Sequence, residues 1–140
     1  CDLIVAAEDA RFVMSYARVG LTPDGGGSWF LAQALPRQIA AEVLFEGKPV
    51  IATRRHELGV VNKLAKAGAV RDMALAWADD LGRISPYSIT CIKSLIGAAG
   101  TQSLPDHLAA ERDNFVSALH QGDALEGITA FLEKRAPVYK

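Results

Sequence analysis

The amino-acid sequence predicts an α/β chain, mostly helical with a few short strands, and three observations predict it. Apolar runs of strand length occupy residues 3–7, 11–16 and 60–64, and they are the only β material the pattern offers. From Val70 onward apolar residues recur at spacings of three and four, the period of a helix. Serines followed by a proline, Ser85-Pro86 and Ser103-Leu104-Pro105, open two of these later segments as capped helices open.

In chain order, Leu3-Ile4-Val5-Ala6-Ala7 is a continuous apolar run of the kind a strand buried on both faces has, and Glu8-Asp9 ends it. Arg11-Phe12-Val13-Met14-Ser15-Tyr16 reads as a second strand. A glycine-rich turn follows, then an apolar helix through Trp29, Phe30, Leu31, Ala34 and Leu35, with Ser28 placed to cap its freed N–H groups. Pro36 opens the next helix, which carries Ile39, Val43 and Leu44 on one stripe and stops at Gly47. Thr53 is placed to cap a short helix ending at Gly59, and Val60-Val61-Asn62-Lys63-Leu64 is a brief strand. Val70, Ala74, Trp77, Leu81 and Ile84 then share one helical face. Ile89, Ile92 and Ile96 form the stripe of the helix after Ser85-Pro86. A longer helix carries Leu108, Phe115 and Leu119 and stops at Gly122, and Asp123 is placed to cap a last one with Leu125, Ile128 and Leu132 inward.

The composition bounds what this chain does. At 140 residues, half of them hydrophobic, it has the length of one ordinary domain and enough apolar surface for a core. A formal charge of −1 with no run of like charges gives no reason to expect nucleic acid or an anionic membrane as partner. No apolar run approaches the roughly twenty residues of a spanning helix, and no stretch resembles a signal peptide, so a cytoplasmic protein is expected. Cys1 and Cys91 lack metal-binding spacing and read as incidental thiols of a reducing compartment. His56, His107 and His120 have no cysteine or carboxylate constellation around them, so no metal is assigned. The chain begins at Cys1 and enters a strand at once, and its few strands lack obvious partners; it is expected to be part of a longer protein.

The stretch Val19-Gly20-Leu21-Thr22-Pro23-Asp24-Gly25-Gly26-Gly27-Ser28-Trp29 organises the rest. Pro23 presets its own φ and pushes Thr22 out of the helical region, while the three glycines permit conformations and close approaches that side chains block. Asp24 is thereby held on a shaped turn at a helix N-terminus, where the positive partial charge suits anionic oxygens. Pro-Asp-Gly is also an ordinary turn sequence, and both readings stand at this point.

Five spaced motifs in order carry a resemblance. Cys1-Asp2 with its strand, Ala10-Arg11-Phe12, the turn just described, Glu57-Leu58-Gly59-Val60-Val61-Asn62, and Glu126-Gly127-Ile128-Thr129-Ala130-Phe131-Leu132-Glu133-Lys134-Arg135 together resemble the crotonase superfamily, the enoyl-CoA hydratases and isomerases, over the full chain. The resemblance implies the later half of a spiral of ββα turns capped by C-terminal helices. Residues 1–66 would finish the spiral and hold the active-site turn, and residues 67–140 would form the helical region that trimerises and covers coenzyme A. It further implies an acyl-CoA thioester substrate, no separate cofactor, and a homotrimer or homohexamer.

In that family two backbone N–H groups form an oxyanion hole that stabilises a thioester enolate, and both would come from segments before Cys1. The glutamate of typical hydratases falls on Tyr16, a poor base near neutral pH with a reference pKa of about 10. Asp24 falls where dienoyl-CoA isomerases and the ring-epoxide isomerases of phenylacetate breakdown keep a proton-shuttling aspartate, and where 4-chlorobenzoyl-CoA dehalogenase keeps its nucleophile. The resemblance therefore implies Asp24 as the catalytic acid–base, partly desolvated beside the thioester and so more basic. Phe115 and Lys134 match positions that touch coenzyme A, and Met14, Tyr16 and Trp29 would line the acyl pocket. Phe115 is equally a core-stripe residue by its spacing, and Lys134 equally a helix-end lysine favoured by the dipole. Isomerisation is the favoured activity; the alternatives are hydration, with Asp24 as second acid beside an upstream glutamate, and a non-catalytic acyl-CoA-binding or assembly module.

Overall fold

The computed structural model describes residues 1–139 and shows a mostly helical α/β chain with short strands. It divides into two compact units, one spanning Cys1–Ala76 and the other from Trp77 on.

The first unit holds β1 (Val5–Ala7), β2 (Arg11–Phe12), a 3-10 helix (Ser15–Val19), α1 (Gly27–Ala34), α2 (Arg37–Glu46), β3 (Val50–Ile51), α3 (Ala52–Glu57) and β4 (Lys63–Ala65). β1 pairs in parallel with β4, Ala6 opposite Leu64, and β2 pairs antiparallel with β3, Phe12 opposite Val50. Two bonds between Ile4 and Asn62, one to the side chain and one between backbones, lock the start of the parallel pair. Ile4 N–H donates to Asn62 Oδ1 at 2.8 Å, and Asn62 N–H donates to the Ile4 carbonyl at 3.0 Å. The strands thus find partners within the chain, although β3 has no counterpart among the expected runs. Val50–Ile51 is too short to show an alternation, and it is a strand only because β2 lies beside it.

The second expected strand is also shorter than residues 11–16. Its partner is two residues long, so the ladder ends at Phe12, and the chain turns into the 3-10 helix that carries Tyr16. Ala6, Ala52 and Val61 form the core of this unit, with Ile4, Ala10, Phe12 and Leu64 packed on it. α3 presents Ala52 and Arg55 inward, and the Arg55 guanidinium lies 5.7 Å from the centre of the Phe12 ring.

Capping differs from the sequence expectation at three helices. α1 starts at Gly27 behind Gly26, with no side-chain cap bond from Ser28. α3 starts at Ala52 behind Ile51, which places Thr53 inside the helix. Gly47, by contrast, ends α2 in the left-handed conformation as expected (φ 57°).

α4 (Val70–Leu81) begins in the first unit, and Val70, Ala74, Trp77 and Leu81 are its half-buried face. Beyond it lie α5 (Pro86–Ala98), α6 (Leu104–Leu119) and α7 (Gly122–Glu133), with α6 packed between the other two. Ser85 and Ser103 cap α5 and α6 as the sequence predicts, accepting from Ser88 N–H at 3.3 Å and Asp106 N–H at 3.4 Å. Gly122 opens α7 rather than ending α6, and Gln121 takes the cap position. Asp123 instead accepts a hydrogen bond from the buried Ser85 hydroxyl at 2.6 Å, tying the start of α7 to the start of α5.

The apolar stripes of these helices have the expected period, but much of their surface is not inward in this chain. Ile96, Phe115, Leu125 and Leu132 are 72%, 67%, 71% and 74% exposed, and Ile92, Leu108, Leu119 and Ile128 are exposed with them. Period alone reports one apolar face; it does not supply the surface that covers it. No helix among the described residues is long and apolar enough to cross a membrane.

Candidate functional site

The turn after the 3-10 helix is closed twice. Leu21 N–H donates to the Tyr16 carbonyl at 3.0 Å, and the Tyr16 hydroxyl donates to Asp24 Oδ1 at 2.6 Å. Downstream, Gly27 N–H donates to the Asp24 carbonyl at 3.0 Å, and Gly25 and Gly26 occupy left-handed conformations (φ 57° and 82°). Those two angles are why the turn is made of glycine: they cost any residue with a Cβ about 1–2 kcal/mol each. The same turn brings Phe30 of α1 back against Gly26, where a Cβ would lie 3.0 Å from the ring.

The 3-10 helix under Tyr16 is anchored from α2. Arg18 Nε donates to the Glu46 carbonyl at 2.8 Å, and Gly47 packs so closely that a Cβ there would meet the Met14 carbonyl and Ser15 Cα at 3.2 Å. Met14 is half-buried and crosses to α1, where its methyl lies 2.5 Å from the position of a Cβ on Gly27. Tyr16 and Asp24 are therefore a bonded pair, and Met14 packs beside the same turn at Gly27, whose missing side chain lets it approach.

Tyr16 is half-buried, and the Asp24 carboxylate, by hydrogen bond first and by charge second, pushes its phenol above the ordinary value of 10.0. Asp24 itself is exposed, so the desolvation expected for it is not provided by this chain. Its neighbours here are glycines and a proline, which cannot cover a carboxylate. Trp29 is 61% exposed and meets Phe30 edge-on, with ring centres 5.0 Å apart.

Phe115 and Lys134 belong to the second unit. Phe115 lines a cleft of about 400 Å³ with Ser85, Asp123, Ile128 and Tyr139. Lys134 caps α7 in the left-handed conformation (φ 56°), the one non-glycine residue with positive φ among the described residues. Beside it Glu126 accepts from both Arg135 Nη1 and Nη2, at 2.6 and 2.9 Å, and from Val138 N–H at 2.8 Å. Among the described residues no three His, Cys, Asp or Glu side chains come together to hold a metal ion.

The sequence singled out Tyr16 and Asp24 separately but not as a bonded pair. Residues eight apart share a face in a regular helix or strand but lie far apart along its axis, and only the turn through Pro23 and the glycines brings the two side chains within bonding distance. The anchors Arg18 and Gly47 were missed because they act across 28 or more residues, with no local signal.

Comparison with known proteins gives this cluster its setting. At 33% identity over 138 residues, covering 99% of this chain and 53% of the relative, the chain is similar to 1,2-epoxyphenylacetyl-CoA isomerase of Escherichia coli (strain K12). It is 34% identical over 143 residues to carnitinyl-CoA dehydratase of Salmonella typhi, covering 99% of this chain and 55% of that one. Among solved structures, an enoyl-CoA hydratase from Polaromonas sp. JS666 is 51% identical and superposes with a TM-score of 0.96 over 100% of this chain and 55% of its own. The chain thus spans about half the length of the relatives it matches. The sequence profile described as enoyl-CoA hydratase/isomerase matches residues 1–140, and the chain belongs to that family, the crotonases.

Proposed function

We propose that the protein carrying this chain isomerises an acyl-CoA thioester, moving a double bond or opening a strained ring, with Asp24 as the group that removes and returns the proton. The observation that carries this reading is the composition of the cluster: one carboxylate on a rigid turn, and a tyrosine in place of a second acid. Proton removal from the carbon next to the thioester, or from its vinylogue, leaves an enolate; return of that proton to another carbon completes an isomerisation without adding anything. A hydratase must also position water, for which a second acid or base is needed. The 33% identity to 1,2-epoxyphenylacetyl-CoA isomerase supports the same choice.

The enolate oxygen would be held by backbone N–H groups outside the 140 residues, as the family's chemistry requires. Phe115 and Lys134 would contact coenzyme A, the lysine as a point charge on phosphate, while Met14 and Trp29 would line the acyl pocket. The exposed stripes on α5, α6 and α7 would be covered in a homotrimer or homohexamer. Hydration is the second reading. Similarity to carnitinyl-CoA dehydratase and to a solved enoyl-CoA hydratase favours it.

Turnover of 3-enoyl-CoA and 2-enoyl-CoA by the complete protein in deuterated water separates the two, since only hydration installs oxygen at the β-carbon. The expected product is a shifted double bond, and Asp24→Asn should lower kcat by about 10²–10⁴-fold, the range of a lost general acid–base. Full isomerase turnover in Asp24→Asn would overturn the reading.

A further inference from the structure

We propose that Tyr16 is a positioning residue for Asp24: its hydroxyl holds Oδ1 so that Oδ2 is the oxygen that takes the proton from the acyl thioester and returns it. This rests on the isomerase reading. It assigns Tyr16 a different task from lining the acyl pocket, because the hydroxyl that would face substrate is already committed to Asp24 at 2.6 Å.

Asp24 stands between Pro23 and two glycines in the left-handed region, an exposed turn that offers its side chain nothing to pack on. Tyr16 stands on a 3-10 helix fixed to the end of α2 by Arg18 and Gly47 and bonded through its own carbonyl to Leu21. The Gly27–Asp24 bond fixes the backbone of the turn, and the Tyr16 hydroxyl adds order to the Asp24 side chain, carried from the anchored 3-10 helix. A carboxylate has two equivalent oxygens and a torsion that exchanges them. With Oδ1 held, Oδ2 is left with no bonded partner among the described residues.

The proton balance is closed within the pair and the substrate. A C–H bond breaks, its electron pair stays on the thioester as the enolate, and an O–H bond forms at Oδ2; the reverse transfer at a second carbon restores the carboxylate. The tyrosine proton stays on its oxygen throughout. The carboxylate beside it favours that state, since it pushes the phenol's ionisation upward.

The test uses the complete protein with 3-enoyl-CoA, comparing wild type, Asp24→Asn, Tyr16→Phe, and a form with a ring-fluorinated tyrosine at position 16. Tyr16→Phe should keep its KM within about twofold and lose about 10- to 100-fold in kcat, the range for a hydrogen bond to a charged group. Fluorinated tyrosine keeps the ring but ionises at lower pH, so it should introduce an alkaline loss of kcat that wild type lacks over the same range. A purely structural role for the ring would not produce that limb. Unchanged kcat and pH profile in both Tyr16 forms, or a raised KM with unchanged kcat, would overturn the proposal while an inactive Asp24→Asn leaves the isomerase reading standing. An active Asp24→Asn would overturn the reading on which the proposal rests.

Discussion

Arg55 is 2% exposed, and its Nε and Nη1 have no hydrogen-bond partner among the described residues. Burial pushes its ionisation below the ordinary arginine range, the direction expected when water is withdrawn from a cation. The Phe12 ring, 5.7 Å away, offers its face as partial compensation. A flexible apolar residue of similar length removes the desolvation cost and keeps the packing. Arg55→Met is therefore expected to raise stability by about 1 kcal/mol, read as a higher urea midpoint at unchanged slope. Arg55→Ala, which leaves a cavity, should lower it. Nothing in Arg54-Arg55-His56-Glu57 distinguishes the second arginine from its solvated neighbours, because its burial comes from tertiary packing, with the Phe12 ring against its guanidinium. Asp24 was legible for the opposite reason: proline and glycine shape a turn through their own backbone preferences, which need no distant contact.

Between elements, the 3-10 helix and the end of α2 make the contact on which the site depends. Gly47 combines a left-handed φ of 57° with backbone atoms 3.2 Å from where a Cβ would go, and backbone cannot step aside as a side-chain tip does. Gly47→Ala is expected to cost about 1–2 kcal/mol from conformation alone and to loosen Tyr16, seen as a lower melting temperature together with a lower kcat. Gly27→Ala should be milder, because the atom it meets is the mobile methyl of Met14.

α7 carries a pH-sensitive clasp of its own. Bonds from Arg135, then from the Val138 amide, hold the Glu126 carboxyl at about 2, below its ordinary 4.5. A depressed carboxyl contributes stability that is present above its unfolded value and is lost as pH falls through the folded one. The clasp should hence weaken between about pH 4.5 and 2, and Glu126→Gln should flatten the acid arm of a stability-against-pH curve. The stop at Gly47 and the starts at Ser85 and Ser103 were readable in advance, whereas Gly122 was misread as a stop and opens α7. Asp123 was misread as a cap because its real partner, Ser85, is 38 residues away.

At the scale of the whole chain, the helical content and the order of elements were legible because periodicity survives wherever one face of a helix is apolar. The exposure of those faces was not legible, since it depends on what else packs there. The same division separates how the two units are wired. The contacts of α5 with α6 and of α6 with α7 join neighbours along the chain, whereas β1 meets β4 only by closing a span of 58 residues from Ile4 to Asn62. Closing a longer span costs more chain entropy before any contact repays it. On the ribosome, the pairing of Val5–Ala7 with Lys63–Ala65 therefore cannot form until almost the entire first unit has been synthesised.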